Sequence, residues 1–230
     1  MNMILRESRM SLPHVEPDAL REEMSSLFSV LTQLIDEQGS IVLHVTSTRQ
    51  GEGTTTIARG LAAVAACSKW CKVALIDANR TRGAGITAGL VPGAGELAEI
   101  PQLGLLETLH EDGDQKLRRL RIGDAEIAVG SLSAGGPCVQ NVESVREVYG
   151  WLRSRYTLVL VDCPPVMVSR ETAVLASIAD GTILVLEAER TRVAEVKRAR
   201  ERLEQLGATI LGVVFNKHWR RTPSFIERLT

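Results

Sequence analysis

Short apolar runs alternate with longer amphipathic runs along most of the chain. The apolar runs are nearly continuous, which is typical of strands buried on both faces of a parallel sheet. They predict six strands, at residues 41–46, 72–77, 126–130, 156–162, 181–187 and 209–215.

Between these runs the spacing of apolar residues changes to three and four, which predicts helices. The first helix is expected at 17–37, and further helices are expected at 55–68, 103–109, 115–121, 142–154, 171–178 and 192–206. Alternating strands and helices predict an α/β fold, with a doubly wound, mostly parallel sheet flanked by helices. In such folds ligands bind at the carboxyl ends of the strands.

The pattern also predicts three parts of unequal size. Residues 1–16 lack periodicity and are expected to form a flexible arm, whereas 17–217 are expected to form one domain. Residues 80–101, which are rich in Gly, Thr and Pro, predict an irregular excursion from that domain. Residues 218–230 combine arginines with apolar side chains, so this tail could lie on an anionic membrane surface or pack as a helix against the domain.

Composition narrows the class of protein. A net charge of −1 gives no basic field for nucleic acid, and an aromatic content of 3% argues against a base-stacking surface. No apolar run approaches the ~20 residues of a membrane-spanning helix, and residues 1–10 lack the apolar core of a signal peptide. We therefore expect a cytoplasmic protein that a partner or a surface contact could recruit to the inner face of the membrane.

The stretch STRQGEGTTT, at 47–56, has most features of a phosphate-binding loop. It lies between a predicted strand and a predicted helix, and Gly51 and Gly53 allow a tight turn. Thr55 falls where such loops carry a magnesium ligand, but Thr54 falls where they carry lysine. The alternative is a glycine-rich turn without a ligand.

Two apolar strands end in aspartate, Asp77 and Asp162. An aspartate at a strand end is commonly a cap, but two of them with a glycine loop form a pattern suited to a metal–phosphate site. The four cysteines have no metal-binding spacing and predict reduced thiols. Cys163 has no histidine visibly paired with it, and His44 is expected to be a core residue.

Together these segments resemble the cytoplasmic domain of bacterial tyrosine kinases of the CpsD/CapB-like capsule and exopolysaccharide family. That family belongs to the deviant-Walker P-loop ATPases, with the MinD and ParA proteins. QGEGTTTIARGLA resembles its Walker A motif, VALIDANRTR its Walker A′ and YTLVLVDCPPV its Walker B. ADGTILVLEAERT and LGATILGVVFNK are similar to its later strands, so the likeness covers about residues 17–217, a P-loop NTPase-like domain.

The resemblance implies ATP or ADP and Mg²⁺ as cofactors. It implies magnesium ligation by Thr55, Asp77 and Asp162, with Asp162 and Asp77 as catalytic residues and Asp77 as general base toward a tyrosine. The residues implied to bind the nucleotide are Arg49, Gly51, Glu52, Gly53, Thr54, Thr55, Thr56 and Asn216. The implied partner is a membrane polysaccharide co-polymerase of the chain-length-determinant type, and a homo-oligomer is also implied.

The chain departs from the family pattern at Thr54 and at Asn79, which stands where Walker A′ usually has a second aspartate. A tyrosine-rich tail is not found in the sequence. We therefore expect a kinase-like regulator with weakened or lost nucleotide binding and little or no kinase activity. Arg49, where MinD and ParA relatives keep a second lysine, could reach phosphate within the chain or across a dimer, or it could be a solvated loop residue.

Two other hypotheses remain open at this point. One is an active ATP-dependent tyrosine kinase or ATPase of the same pathway. The other is a positioning ATPase related to MinD and ParA.

Overall fold

The computed structural model describes residues 17–79, 102–104, 117–122, 124–133 and 142–217. Its helices are α1 (Pro17–Gln38), α2 (Thr54–Ala66), α3 (Val142–Arg153), α4 (Arg170–Ala176) and α5 (Val193–Gln205). Its strands are β1 (Ile41–Ser47), β2 (Val73–Asp77), β3 (Gln102–Gly104), β4 (Arg118–Ile122), β5 (Ala125–Ser133), β6 (Leu158–Asp162), β7 (Gly181–Glu187) and β8 (Ile210–Asn216).

In the described part of the chain, these strands form one sheet in the order β3-β5-β2-β6-β1-β7-β8. Every neighbouring pair on this path is parallel, and β4 pairs antiparallel with the first part of β5. The predicted doubly wound, mostly parallel α/β fold is confirmed. Because parallel strands need crossover connections, the helices between them cover the faces of the sheet.

The central strands are buried along their whole length, as their continuous apolar runs predict. Alternate residues of β1 serve two different cores. Leu43 and Val45 lie in a cluster with side chains of α1 and α2, and Val42 lies in a cluster with side chains of α3. The period-two alternation of a strand therefore fixes which helices cover which face.

Two predicted helices are wrong where the structure describes them. Residues 118–122 of the predicted helix at 115–121 form strand β4. In RRLRI the side chain of Leu120 is buried while Arg119 and Arg121 are exposed, which is a strand alternation that pairing with β5 stabilises. Residues 102–104, at the start of the predicted helix at 103–109, form strand β3, in which Leu103 lies opposite Leu132 of β5.

The other predicted helices and strands are confirmed, with ends that shift by a few residues. The predicted arm at 1–16, the excursion at 80–101 and the tail at 218–230 lie outside the described residues. Within the described residues, no helix combines the length and the apolar character that crossing a membrane requires.

Asp180, the residue before β7, links β1 and α3 at the end of the sheet opposite the glycine loop. Its Oδ2 accepts a hydrogen bond of 2.6 Å from the backbone N–H of Val42 at the start of β1. Its Oδ1 accepts a bond of 2.6 Å from Arg153 at the end of α3. One carboxylate thus satisfies a backbone donor of the central strand and a guanidinium.

We expect Asp180→Ala to lower the free energy of unfolding by about 2 kcal/mol, because the N–H of Val42 and the guanidinium of Arg153 both lose their acceptor. Urea denaturation measures this change. Glu204→Ala is the matched control, since it breaks the exposed ion pair with Arg200 on α5 and should leave the midpoint unchanged. Equal midpoints for the wild type and Asp180→Ala would contradict the assignment.

Candidate functional site

A cleft lies at the carboxyl ends of the strands, where ligands bind in parallel α/β sheets. Its walls come from the loop between β1 and α2, from the ends of β2 and β6, and from the residue that follows β8. The predicted site residues that line it are Gly51, Gly53, Thr54, Thr55, Thr56, Asp77 and Asp162.

The loop reverses through two glycines in the left-handed region, with φ of 88° at Gly51 and 96° at Gly53. Helix α2 begins immediately afterwards, and the N–H of Ile57 donates to the carbonyl of Gly53 at 3.0 Å. A Cβ added at Gly53 would lie 1.9 Å from the side-chain amide nitrogen of Asn216, and the positive φ independently favours glycine at this position. The cleft is therefore bordered by the positive end of a helix, where phosphate groups bind in many proteins.

Glu52 holds this loop from within the protein. Its side chain is fully buried, and its Oε2 accepts bonds from the backbone N–H groups of Thr48 at 2.7 Å and Arg49 at 3.1 Å. The hydroxyl groups of Thr48 and Thr191 also donate to this carboxylate. Glu52, which the resemblance assigns to nucleotide binding, does not line the cleft; its carboxylate instead fixes the fold of the loop.

Two aspartates and a threonine meet at the floor of the cleft. Asp77 and Asp162 lie opposite each other in the register of β2 and β6. The hydroxyl of Thr55 donates to Oδ2 of Asp162 at 2.7 Å. Carboxylate and hydroxyl oxygens are ligands that Mg²⁺ prefers, so these three residues fit the predicted metal site chemically.

The described residues contain no group of three or more His, Cys, Asp or Glu side chains arranged around a metal ion. Mg²⁺ usually takes only one or two carboxylates and completes its shell with water and substrate phosphates. The donor set of Asp77, Asp162 and Thr55 is therefore chemically compatible with a magnesium ion that would arrive with a nucleotide.

Asp77 is electrostatically unusual. Burial raises its pKa to about 7, the hydrogen bond of 2.7 Å from the backbone N–H of Asn79 lowers this pKa, and the nearby charge of Asp162 raises it. A carboxyl group with a pKa near the operating pH is suited to accept a proton from a substrate hydroxyl. This pKa is compatible with the general-base role that the resemblance implies for Asp77.

Two other predicted binding residues, like Glu52, do not line the cleft. Nε of Arg49 lies 3.7 Å from Oε1 of Glu52, in an ion pair beside the loop. The side-chain amide of Asn216 donates to the backbone carbonyl of Glu52 at 2.8 Å, which ties the end of β8 to the loop. In this structure both residues support the loop rather than face the cleft.

Sequence reasoning missed two cations in the cleft, Arg59 and Lys217. Arg59 lies four residues after Thr55, so the helical repeat places both on the same face of α2. That spacing was a usable signal. No comparable signal existed for Lys217, because only the folded sheet brings the end of β8 beside the loop.

Cys163, which follows Asp162 and lines the cleft, does have a histidine partner. Its Sγ lies 3.3 Å from Nδ1 of His44, and Nε2 of His44 lies 2.6 Å from the hydroxyl of Tyr149. The expectation of no paired histidine is therefore wrong.

Burial lowers the pKa of His44 to about 3, and burial together with the charges of Asp162 and Asp77 raises the pKa of the Cys163 thiol. Both groups are thus neutral, which argues against a nucleophilic thiolate.

Comparison with known proteins identifies relatives of the chain. No protein-family model matches the chain. Over 181 residues the chain is 26% identical to the tyrosine-protein kinase CpsD of Streptococcus agalactiae, covering 76% of this chain and 75% of that protein. It is 29% identical over 206 residues to the putative tyrosine-protein kinase EpsB of Ralstonia solanacearum, covering 88% of this chain and 26% of EpsB.

Solved structures show the same fold. The kinase domain of the Escherichia coli tyrosine kinase ETK superposes with a TM-score of 0.71 at 25% identity, covering 93% of this chain and 86% of that domain. Cobyrinic acid a,c-diamide synthase of Mycobacterium smegmatis, solved with bound ADP and magnesium, superposes with a TM-score of 0.57 at 20% identity. It covers 83% of this chain and 79% of that enzyme, and it shares the fold alone.

The raised pKa of Asp77 predicts a pH-dependent stability. Since the folded protein keeps this proton to higher pH than the unfolded chain does, the contribution of Asp77 to stability falls as pH rises from about 4 to about 7. We expect Asp77→Asn, which mimics the protonated form, to stabilise the ligand-free protein at pH 8 by at most a few kcal/mol and to lose this advantage near pH 4.

Urea denaturation at several pH values measures this difference. The control is Asp36→Asn, which makes the same change at an exposed position of α1 and should give no gain that depends on pH. A destabilised Asp77→Asn protein at pH 8 would contradict the expectation.

Because the carboxylate of Glu52 is buried and hydrogen-bonded, we expect the stability of the loop to depend on it. Glu52→Gln replaces an acceptor oxygen by an NH₂ group that faces other donors, so we expect a loss of about 2–4 kcal/mol in unfolding free energy. Thermal denaturation measures the loss, and hydrogen exchange should show faster exchange at the N–H groups of Thr48 and Arg49. Unchanged exchange at these two amides would show that Glu52 does not organise the loop.

Proposed function

Since the chain is a homologue of bacterial capsule and exopolysaccharide tyrosine kinases and has the fold of their kinase domains, we propose that it is a kinase-like regulator of that pathway. In this proposal it binds ATP or ADP with Mg²⁺ weakly and transfers phosphate slowly or not at all. It acts in the cytoplasm on a membrane polysaccharide co-polymerase, as a single chain or as a homo-oligomer.

The observation that carries this proposal is Thr54, a neutral residue in a loop that otherwise keeps its phosphate-binding shape. A lysine at this position makes a charge-assisted contact with the β and γ phosphates, worth about 1.5–3 kcal/mol in binding. This corresponds to roughly tenfold to hundredfold in affinity. The hydroxyl of Thr54 can donate only one neutral hydrogen bond, so the proposed nucleotide site is weakened rather than removed.

The absence of a lysine at position 54 weakens phosphoryl transfer more than it weakens nucleotide binding. The transition state spreads negative charge over the γ-phosphate oxygens, and catalysis depends on fixed positive groups around them. Mg²⁺, when bound with a nucleotide, supplies part of this charge. Thr55 and Asp162 would position the ion, Asp77 would accept the substrate proton, and Thr54 would add no charge.

The proposed partner rests on the relatives. EpsB is about four times as long as the region it shares with this chain, which is 26% of its length. The shared kinase-like domain is thus only part of that larger protein.

A protein that binds nucleotide in one conformation better than in another can regulate a partner without transferring phosphate, because the ligand shifts the population of the two conformations. A gene for a chain-length-type membrane protein beside the gene for this chain would support this role.

A second candidate function is an active tyrosine kinase or ATPase of the same pathway. The pKa of Asp77, about 7, favours it because such a carboxylate is a stronger base than an ordinary one and is still partly deprotonated at neutral pH. The two candidates differ in turnover, since the regulator should bind nucleotide without steady hydrolysis or tyrosine phosphorylation.

We expect Thr54→Lys to strengthen the binding of Mg-ADP by roughly tenfold to hundredfold, because it restores the charged contact. Isothermal titration calorimetry measures the affinity, and phosphate release measures turnover. Gln50→Lys is the matched control, since it also adds a cation at the cleft but not at the lysine position, and its gain should be much smaller.

Three results would overturn parts of the proposal. Micromolar affinity with steady hydrolysis by the wild type would favour the active enzyme. Equal gains from Thr54→Lys and Gln50→Lys would show that position 54 has no special role. Absence of nucleotide binding by both the wild type and Thr54→Lys would exclude a nucleotide site.

A further inference from the structure

We propose that Arg59 and Lys217 bind the phosphate groups of the nucleotide and supply the positive charge that the loop lacks at Thr54. This inference rests on the proposed function, because it assigns two further residues to the same site. Both side chains line the cleft, and they reach it from different elements, helix α2 and the end of β8.

Arg59 approaches the cleft along the axis of α2. Its Nε donates to the carbonyl of Thr55 at 3.2 Å, so the side chain folds back toward the start of the helix. Side chains four residues apart on a helix are neighbours, and they lean toward its N-terminus. The guanidinium therefore lies beside the part of the cleft where Thr55 contacts Asp162, the predicted position of metal and phosphate.

The charge of Arg59 is incompletely compensated. Burial lowers the pKa of its guanidinium, and the negative charge of Asp162 raises it. Across the described ranges, no carboxylate forms an ion pair with Arg59, and its one hydrogen bond leaves the terminal nitrogens available. A half-buried guanidinium with free donors matches the planar oxygens of a phosphate group and can bind it in bidentate fashion.

Lys217, the residue that follows β8, contacts the loop. Its Nζ donates to the carbonyl of Gly51 at 2.6 Å and lies 3.5 Å from Oε2 of Glu187. Its side chain is 44% exposed, so it can move without disturbing the core. Because Gly51 belongs to the turn that would surround the phosphate groups, a small movement would exchange its carbonyl for a phosphate oxygen.

The position of Lys217 is fixed by packing at the end of β8. The preceding Asn216 donates to the carbonyl of Glu52 and lies against Gly53, which leaves no room for a Cβ at that glycine. Lys217 itself has a φ of 58°, in the left-handed region that few lysines adopt. The chain thus turns immediately after β8, and the ammonium group reaches the loop at this turn.

Arg49 is a weaker candidate for the same role in its own chain. Its guanidinium pairs with the buried carboxylate of Glu52, and it does not line the cleft. To reach phosphate it would have to leave a carboxylate that also organises the loop. Arg59 forms no ion pair with a described carboxylate, although the charge of Asp162 acts on it. The ammonium group of Lys217 has a longer contact, of 3.5 Å, with Glu187.

The test compares the affinity of three variants for Mg-ADP by isothermal titration calorimetry. Arg59→Gln and Lys217→Gln each remove one charge while keeping much of the side chain. Arg200→Gln makes the same change of charge on the exposed face of α5, far from the loop in sequence, and serves as the matched control. We expect about tenfold weaker binding for each of the first two variants and no change for the control.

A second step asks whether the two cations replace the missing lysine. In a chain that carries Thr54→Lys, the loss caused by Arg59→Gln should be several-fold smaller than in the wild type, because the introduced lysine already supplies charge to the same phosphates. Circular dichroism melting curves check that each variant is folded. Raising the salt concentration should weaken wild-type binding more than binding by Arg59→Gln.

The outcomes separate this inference from the proposed function. Wild-type affinity in both Arg59→Gln and Lys217→Gln would overturn the inference and leave the nucleotide site in place. Binding detected only after Thr54→Lys would also overturn it, since the two cations would then not compensate for the lysine. Absence of binding by the wild type and by Thr54→Lys would overturn the proposed site and this inference together.

Discussion

The shape of the cleft depends on one buried carboxylate. Glu52 accepts hydrogen bonds from Thr48 and Arg49 at the start of the glycine loop and from the hydroxyl of Thr191, which follows strand β7. A carboxylate with no exposure is stable only when its oxygens are fully satisfied, so its donors and the loop have to be positioned together. The left-handed turns at Gly51 and Gly53 are held in this way even without a ligand.

Because the loop is folded without a ligand, a threonine at position 54 affects the charge of the loop rather than its structure. In a loop held from within by Glu52, the backbone donors need not be ordered by a lysine or by a nucleotide. What Thr54 removes is charge, and charge can be supplied from a neighbouring element. In our proposal Arg59 and Lys217 do so, since both line the cleft at the carboxyl edge of the sheet.

The sequence predicts most of the fold because the dominant signals are local. Continuous apolar runs identify the buried strands, and strands ending in Asp77 and Asp162 identify the functional edge. The strand at Arg118–Ile122 was missed because a short run with period-two alternation also fits a helical turn, and pairing with β5 decides between them. The partnership of Cys163 with His44 was missed for a different reason, since it joins residues 119 positions apart.

The residues of the site are predicted less completely from the sequence than the fold is. Motif positions identify which residues belong near phosphate, but they do not give the direction of a side chain. Glu52 and Arg49 satisfy the motif, yet they bind each other beside the loop. Arg59 and Lys217 were assigned no role by the motif, and they line the cleft. Under the proposed function, the binding capacity of such a loop depends on the total charge that faces the cleft. We then expect a missing lysine to reduce catalysis first, because transfer needs charge at one position, and to reduce binding less, because binding accepts charge from several directions.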